Sequence, residues 1–210
     1  IILNLIGFYS TWQKTKLNEQ KLKAEVMTYK YESLKNQINP HFLFNSFNVL
    51  SDLIHEDQKL ADKFLSKLSE LYRYVLDSRE KELVSITQEI QFIDSYIFLL
   101  KMRFEDKIII NNTLKSLENQ SIVPMALQLL IENAVKHNEA STENPLQIDL
   151  KEEAEFIIVS NKKMAMKSII HSDKIGLKNL QQQYSYLTNK NIEILDTSEK
   201  FEVKIPLIQS

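Results

Sequence analysis

The spacing of apolar residues changes once along this chain of 210 residues, near position 106. Before that position, apolar residues recur every three or four places, which puts them on one face of an α-helix. After it, short β-branched or alternating runs predict strands, with two helical segments between them. The predicted strands cover 107–114, 146–150, 155–160, 191–195 and 201–205, and the predicted helices cover 124–137 and 175–187. We therefore predict an α+β chain in which a helical part precedes an α/β sandwich, a sheet with helices on one face.

Residues 40–79 carry two amphipathic stripes and predict a helical hairpin. In the first helix, an apolar and a polar stripe run at the same spacing, so the polar residues face away from the core. The apolar stripe is Leu43, Phe47, Leu50 and Ile54, the polar stripe is His41, Asn45, Asn48 and Asp52, and the second helix contributes Leu60, Phe64, Leu68, Leu71 and Val75. A connecting helix is predicted over 86–105, with Thr87 as its N-cap.

The residues before Pro40 predict a coiled coil next to a membrane. Residues 1–12 are mostly apolar and precede several lysines, as at the cytoplasmic end of a transmembrane helix. The alternative is the start of an amphipathic helix in a soluble dimer. Over 13–38, apolar residues fall seven apart, which predicts a parallel coiled coil and a homodimer. Two copies of the hairpin would then close a four-helix bundle. We expect a location at the inner membrane, with this segment on the cytoplasmic side.

Composition excludes several classes of function. The chain has no cysteine, which rules out disulfides, thiolate metal sites and cysteine nucleophiles. The formal net charge is −2, and the only arginines are Arg73, Arg79 and Arg103, so direct binding of nucleic acid is not expected. The two glycines, Gly7 and Gly176, are too few for a Walker loop or a Rossmann fingerprint. Any phosphate site must be built in another way.

Two helical segments carry polar residues that suit a nucleotide. In the segment 124–137, Asn133, Lys136 and His137 share the side opposite the apolar residues. One asparagine oxygen, triphosphate oxygens and water satisfy Mg²⁺, while Lys136 and His137 can neutralise phosphate charge. In the segment that begins at 175, the motif with Gly176, Leu177 and Asn179 opens a helix whose free N–H groups can meet phosphate.

Three motifs, NPHFLFN at 39–45, LIENAVKH at 130–137 and IGLKNL at 175–180, resemble in sequence and order those of the LytS-like sensor histidine kinases. The resemblance implies a dimerisation and histidine phosphotransfer domain at 39–85 and a Bergerat (GHKL-type) ATP-binding domain at 106–210. It implies that His41 accepts the phosphoryl group, that Asn133 holds Mg²⁺ and that Gly176 lies beside the triphosphate of ATP. The implied partners are a second copy, the membrane and a cytoplasmic response regulator, often of the LytTR type.

The residues around His41 fit phosphoryl transfer. A neutral imidazole is available near pH 7 and can attack the γ-phosphorus in line, and the rest of the task is positioning and charge neutralisation. Phe42 stands where other histidine kinases place an acid that orients the imidazole. The orienting group therefore stays open between Asn45 and a residue of the second helix. Asn45 could also position a water that hydrolyses a phospho-aspartate on the partner.

The adenine pocket departs from the Bergerat pattern. Where those folds place an aspartate that accepts the adenine amino proton, this chain has Asn161, a weaker neutral acceptor. Three functions stay open: an active ATP-dependent histidine kinase, a degenerate kinase that acts as a dimeric scaffold or phosphatase, and an ATPase of the gyrase or chaperone kind. The ATPase would need a carboxylate one turn before Asn133, where the chain has Leu129, so it is disfavoured.

Overall fold

The computed structural model describes Lys16 and residues 40–115, 119–164, 175–188 and 190–209. The membrane segment predicted at 1–12 and the coiled coil predicted at 13–38 therefore lie outside the described residues, apart from Lys16, which is helical. In the described part of the chain, no helix is long and apolar enough to cross a bilayer. The chain divides after Phe44 into two units.

Two helices occupy the region predicted as a hairpin, α1 (Pro40–Glu56) and α2 (Gln58–Asp77). Asp57 separates them, because its backbone is extended and its carboxylate accepts a hydrogen bond from the Leu60 N–H at 3.0 Å, which caps α2. The apolar stripe of α2 is buried as predicted, except that Leu60 is half-exposed and Ala61 is buried beside it.

A third helix, α3 (Ile86–Phe104), is buried along most of its length. α2 packs chiefly along this helix rather than against α1. The N-cap of α3 is Ser85, whose hydroxyl accepts a hydrogen bond from the Gln88 N–H at 3.3 Å. The predicted cap at Thr87 is therefore wrong by two residues, because both positions offer a hydroxyl and only the first lies where the backbone is still extended.

Strands in the described residues form two sheets. They are β1 (Val84–Ser85), β2 (Ile108–Asn112), β3 (Gln120–Ile122), β4 (Leu146–Glu153), β5 (Phe156–Lys162), β6 (Glu193–Asp196), β7 (Lys200–Pro206) and β8 (Ile208–Gln209). The larger sheet has the order β2-β4-β5-β7-β6, with β2 and β4 parallel and the other pairs antiparallel. Its five strands correspond to the five predicted runs.

The smaller sheet, β1-β3-β8, was not predicted. Each of its strands has only two or three residues, which is too short to display the alternation that reveals a strand in sequence. β5 extends two residues beyond the predicted end at 160 and so includes Asn161, which pairs with Phe201 of β7. This extension places Asn161 on a regular strand.

Two further helices, α4 (Ala126–Lys136) and α5 (Ile175–Leu187), complete the described fold. α4 contacts β4 and β5 and packs against α5. Its apolar face, Leu127, Leu130, Ile131 and Ala134, is buried, as the spacing predicts. α4 begins two residues later than predicted because Met125 adopts a left-handed conformation with φ 60°. α5 matches its predicted range at both ends.

Candidate functional site

A cavity of about 820 Å³ opens between α4, α5 and the strands β5, β6 and β7. Its size lies within the range of about 300–1,000 Å³ that is typical of small-molecule sites. The residues that line it are Asn133, Ala134, Lys136, His137, Asn138, Asn161, Lys163, Met164, Gly176, Leu177, Lys178, Gln181, Ile194, Asp196 and Phe201. Six of the residues predicted for nucleotide binding are therefore brought together around one space.

The predicted residue Asn179 is the exception, because it is exposed on α5 and does not line the cavity. Its neighbours in the motif, Gly176, Leu177 and Lys178, do line it. Successive residues of a helix are turned by about 100°, which places Asn179 on the side of α5 opposite Leu177 and Gln181, which both line the cavity. We therefore replace Asn179 by Lys178 among the candidate residues of α5.

Charge in the cavity favours an anion. Three lysines line it, Lys136, Lys163 and Lys178, together with one carboxylate, Asp196. Lys163 and Asp196 form an ion pair at its edge. Lys136 and Lys178 remain as cations facing a space that also contains the half-buried Asn133. This combination suits a ligand that carries phosphate groups.

Asn161 presents its carbonyl oxygen as an acceptor. The side chain is buried, and its amide nitrogen donates to the Lys162 carbonyl oxygen at 3.0 Å. Among the described residues, no hydrogen bond occupies its Oδ1 atom. A buried neutral acceptor next to the apolar side chains of Met164 and Phe201 fits a flat heterocycle with an exocyclic amino group.

The absence of a side chain at Gly176 also matters for helix packing. Its backbone is not in the left-handed region, so no turn requires a glycine there. A Cβ at this position would lie 2.8 Å from Cδ1 of Leu129 on α4. The missing side chain therefore lets the two helices that flank the cavity approach each other. Leu129 occupies the position, one turn before Asn133, at which an ATPase would need a carboxylate. Its side chain is the one that contacts Gly176.

Asn138 was not predicted and holds one edge of the cavity. This buried side chain donates from Nδ2 to the Ala134 carbonyl oxygen at 2.7 Å and accepts the Met164 N–H on Oδ1 at 2.7 Å. It therefore ties the end of α4 to the residues that follow β5. The available signal was an asparagine directly after a predicted helix end, where such side chains commonly bond the backbone.

Glu89 was also missed, although it is the most deeply buried charged side chain among the described residues, with 0% exposure. Its Oε2 atom accepts from the Tyr74 hydroxyl at 2.5 Å and from the Met125 N–H at 3.1 Å, while Oε1 accepts from the Leu127 N–H at 3.2 Å. Burial raises the pKa of Glu89 to about 7, because desolvation outweighs these hydrogen bonds. The signal was an acidic residue three places after Ile86, on the apolar side of a predicted helix.

Glu132, next to Asn133 in the second half of α4, makes two side-chain hydrogen bonds. It accepts from the Gln128 side-chain amide at 2.8 Å and from the Tyr96 hydroxyl at 3.4 Å. Tyr96 is buried, and this burial together with the negative charge of Glu132 raises the pKa of its hydroxyl. The motif carboxylate is therefore engaged in helix packing.

The predicted phosphoacceptor region lies on α1. His41 is exposed and Asn45 is half-buried, one turn apart on the predicted polar stripe, with Asn48 and Asp52 exposed beyond them. The stripe therefore has the exposure that its spacing predicts. The apolar stripe of the same helix is much less buried than expected, since Phe47 is 50% exposed and Ile54 is 58% exposed.

The side chains around the cavity suit a metal ion that is bound mainly by phosphate oxygens and water and only in small part by the protein. In the described part of the chain, no cluster of three or more histidine, aspartate or glutamate side chains is placed to hold a metal ion. An amide oxygen such as that of Asn133, with phosphate oxygens and water, is a donor set that Mg²⁺ accepts.

Comparison with known proteins agrees with the sequence motifs. The family model described as "Histidine kinase" matches residues 29–108. The protein named "Sensor protein LytS" of Streptococcus agalactiae is 32% identical over 162 residues, which are 76% of this chain and 28% of that protein. The "Sensor protein LytS" of Streptococcus mutans is 35% identical over 144 residues, 68% of this chain and 24% of that protein.

A longer match has lower identity. The "Sensor protein LytS" of Enterococcus faecalis is 25% identical over 216 residues, 92% of this chain and 37% of that protein. The chain therefore spans between about a quarter and two fifths of the length of these relatives. A solved structure, the histidine kinase AdeS of Acinetobacter baumannii, aligns with a TM-score of 0.37 and 14% identity over 79% of this chain and 97% of that one. On the sequence matches, the chain belongs to the LytS-like sensor histidine kinase family.

Proposed function

We propose that this chain is the kinase part of a two-component sensor, which phosphorylates His41 from ATP and passes the phosphoryl group to an aspartate of a response regulator. One observation supports this proposal most directly. The cavity gathers Asn133, Lys136, His137 and Gly176 in a chain whose family match includes an exposed His41. Residues 106–210 would then act as a Bergerat-type ATP-binding domain.

The chemistry needs little beyond what these residues offer. The lone pair of one imidazole nitrogen of His41 attacks the γ-phosphorus, a nitrogen–phosphorus bond forms, and the bond from phosphorus to the bridging oxygen breaks as ADP leaves. Lys136 and Lys178 attract the triphosphate, and Asn161 accepts a hydrogen bond from the adenine amino group. Asn133 is the residue that would hold Mg²⁺, which when bound neutralises charge on the phosphate oxygens.

The exposed apolar side chains of α1 and α2 support a homodimer. Phe44, Phe47 and Ile54 on α1 and Leu65 and Leu76 on α2 are each close to half-exposed or more. Amphipathic helices of this kind are covered by other helices in bundles. We propose a four-helix bundle from two copies, preceded by the predicted coiled coil and membrane anchor, with a regulator of the LytTR type as one candidate partner.

Asn161 favours a second function, that of a dimeric scaffold or phosphatase. A neutral acceptor in place of a carboxylate weakens the hydrogen bond to adenine, which lowers the affinity for ATP. In this alternative, Asn45 would position a water for hydrolysis of a phospho-aspartate on the regulator. ATP binding then contributes little to the signal.

Incubation with γ-labelled ATP and Mg²⁺ tests the proposal. We expect the full chain to acquire a label that is lost in acid and kept in alkali, as a phosphoramidate is, and we expect His41→Gln to acquire none. His55→Gln is the matched control, because His55 is an exposed histidine near the other end of the same helix. Acid-stable label, or label that persists in His41→Gln, contradicts the kinase proposal. Binding of ATP without any label supports the scaffold or phosphatase.

A further inference from the structure

The first turn of α4 takes its hydrogen-bond acceptor from another helix. The first N–H groups of a helix have no partner within it, and a side chain just before the helix commonly accepts from one of them. At α4 that place belongs to Met125, whose side chain offers no such acceptor. The carboxyl group of Glu89 on α3 instead accepts the N–H groups of Met125 and Leu127, at 3.1 and 3.2 Å.

The same carboxyl group is held by α2. The Tyr74 hydroxyl donates to its Oε2 atom at 2.5 Å. The Tyr74 ring stacks on Phe92 of α3, with centroids 4.2 Å apart and an angle of 21° between the planes. This packing fixes the position of the Tyr74 ring and therefore the position of its hydroxyl group. We call Tyr74, Glu89 and the two N–H groups of Met125 and Leu127 the carboxyl joint.

A fourth helix reaches the same place. The Val123 N–H, just before α4, donates to the Tyr184 hydroxyl of α5 at 3.4 Å. α5 is the helix that carries Gly176 and Lys178 on the wall of the cavity. The start of α4 is thus held from α2, α3 and α5, while Asn133 lies about 10 Å further along the same helix, at the 1.5 Å rise of each residue.

Burying a carboxyl group is costly unless it makes several hydrogen bonds. Apolar packing alone would stabilise α3 at lower cost, but it would leave two buried N–H groups at the start of α4 without acceptors. Glu89 accepts from both groups and also accepts a hydrogen bond from Tyr74 of α2. A displacement of Tyr74 would therefore be felt at the helix that carries Asn133.

We propose that Glu89 is a positioning residue for the nucleotide site, and that Tyr74 sets its orientation, so that the carboxyl joint couples α2 to the helix that carries Asn133. This inference rests on the proposed function only for its effect on ATP. The hydrogen bonds of the joint do not depend on it. α2 directly follows the helix of His41 in sequence, and the joint gives that region a contact through which it can act on Asn133.

Tyr74→Phe tests the coupling, because it removes one hydroxyl and keeps the ring on Phe92. Tyr72→Phe is the matched control on the same helix, because among the described residues no hydrogen bond involves the Tyr72 hydroxyl. We expect Tyr74→Phe to speed amide hydrogen exchange at Leu127 and through Asn133 by about tenfold, and to weaken Mg²⁺–ATP binding three- to tenfold at a temperature where both proteins are folded. Tyr72→Phe should leave both within twofold.

Glu89→Gln provides a second variant. Its amide keeps one acceptor oxygen and can donate to Tyr74, so one of the two N–H groups should lose protection while the chain still folds. The double variant with Tyr74→Phe should bind Mg²⁺–ATP no more weakly than Glu89→Gln alone, because both changes break one joint.

Three outcomes decide the inference. Unchanged exchange in Tyr74→Phe overturns it, and so does faster exchange with ATP affinity unchanged within twofold, since the joint would then be structural only. If the unaltered chain binds no Mg²⁺–ATP, the proposed function fails. In that case the exchange data for Tyr74→Phe decide. Faster amide exchange from Leu127 through Asn133 supports the coupling, whereas faster exchange at Leu127 alone overturns the coupling.

Discussion

The two regions that the proposed kinase needs differ in how complete they are in one copy of the chain. The cavity is bordered by α4, α5 and three strands, and its candidate residues come from positions 133–201 of a single molecule. α1 has His41 on one side and a partly exposed apolar stripe on the other. Nucleotide binding should therefore be a property of one copy, whereas the apolar side of α1 is the surface on which we propose that a second copy packs.

Amphipathic spacing identifies the apolar side of a helix but not what covers that side. Spacing shows which side of α1 is apolar, and the same reasoning applied to α2 gives a stripe that α3 covers in the same chain. The sequence of α1 does not show whether its apolar side is buried within one chain or by another surface. The hydrophobic effect is non-directional, so any apolar surface can bury it. The structure distinguishes them by the exposure of Phe47 and Ile54.

The largest effect is expected from Asn133→Ala, which removes the proposed metal ligand. Mg²⁺-dependent ATP binding should fall at least about a hundredfold, below detection by calorimetry at millimolar nucleotide, because no other amide or carboxylate is predicted to take its place. The oligomeric state should not change. Asn179→Ala is the matched control, since Asn179 is exposed outside the cavity. Equal affinities for the two variants would refute the role of Asn133.

The next effect is expected from Phe47→Asp on α1. Phe47 is 50% exposed, so a second copy can cover about half of its side chain. Full burial of a phenylalanine is worth about 1.5–3 kcal/mol and a twofold dimer carries the change twice, so the dissociation constant of the dimer should rise at least about tenfold. Light scattering on the 210-residue chain should show a shift from dimer to monomer, with ATP affinity per chain within twofold. Tyr186→Asp places the same charge on an aromatic residue of α5 that is 84% exposed and should leave the dimer intact. If Phe47→Asp remains a dimer, the apolar side of α1 is not the surface that joins two copies.

A third prediction concerns pH and the carboxyl joint. The pKa of Glu89 is raised from 4.5 to about 7 by burial, so the folded chain holds its proton more tightly than the unfolded chain. Between those values the free energy of unfolding should fall as the pH rises, by about 3 kcal/mol from this group. Tyr74 and Tyr184, which face Glu89 from α2 and α5, have pKa values raised above 10 and do not titrate in this range.

Urea unfolding at pH 5 and pH 8 measures this effect. Glu89→Gln removes the titration, so its free energy of unfolding should depend less on pH than that of the unaltered chain. Glu70→Gln is the control, because hydrogen bonding by Lys67 lowers the pKa of the exposed Glu70. Identical pH dependence in the unaltered chain and in Glu89→Gln would show that Glu89 does not bind a proton in this range.

The smallest effect is expected from Asn161→Asp in the cavity. A charged acceptor makes a hydrogen bond worth about 1 kcal/mol more than a neutral one, so ATP should bind about tenfold more tightly. Calorimetry measures the affinity for ATP. Asn179→Asp is the control for the added negative charge, because Asn179 does not line the cavity, and it should not bind ATP more tightly than the unaltered chain. If Asn161→Asp gains no affinity, adenine is not recognised at this strand.

Helices and strands in which apolar residues recur at a regular spacing could be predicted from the sequence. α5 was predicted at 175–187 and the five strands of the larger sheet at their approximate positions, because helices and strands of this length show their period. Glu89 and Asn138 could not be placed in the same way. Their roles depend on backbone groups brought close by folding, the N–H groups of Met125 and Leu127 in one case and that of Met164 in the other.

Gly176 shows a third situation, in which the sequence motif predicts one role and the structure adds another. The motif led us to expect that a glycine there admits phosphate, and the structure shows that it admits Leu129. Both explanations call for the absence of a side chain, so the sequence alone could not separate them. The grouping of Gly176 with Asn133 around one cavity follows from the close contact of α4 and α5.

The pairing of β5 with β7 has a consequence for the order of folding. Asn161 meets Phe201 across these strands, whereas Tyr74 meets Glu89 only 15 positions away. Contacts between distant positions must close longer loops, so the local helical contacts should form early and the cavity late. A ligand that binds only the complete cavity stabilises the folded state and leaves the free energy of the folding transition state unchanged. We therefore expect ATP to slow the unfolding of this chain and to leave its refolding rate almost unchanged.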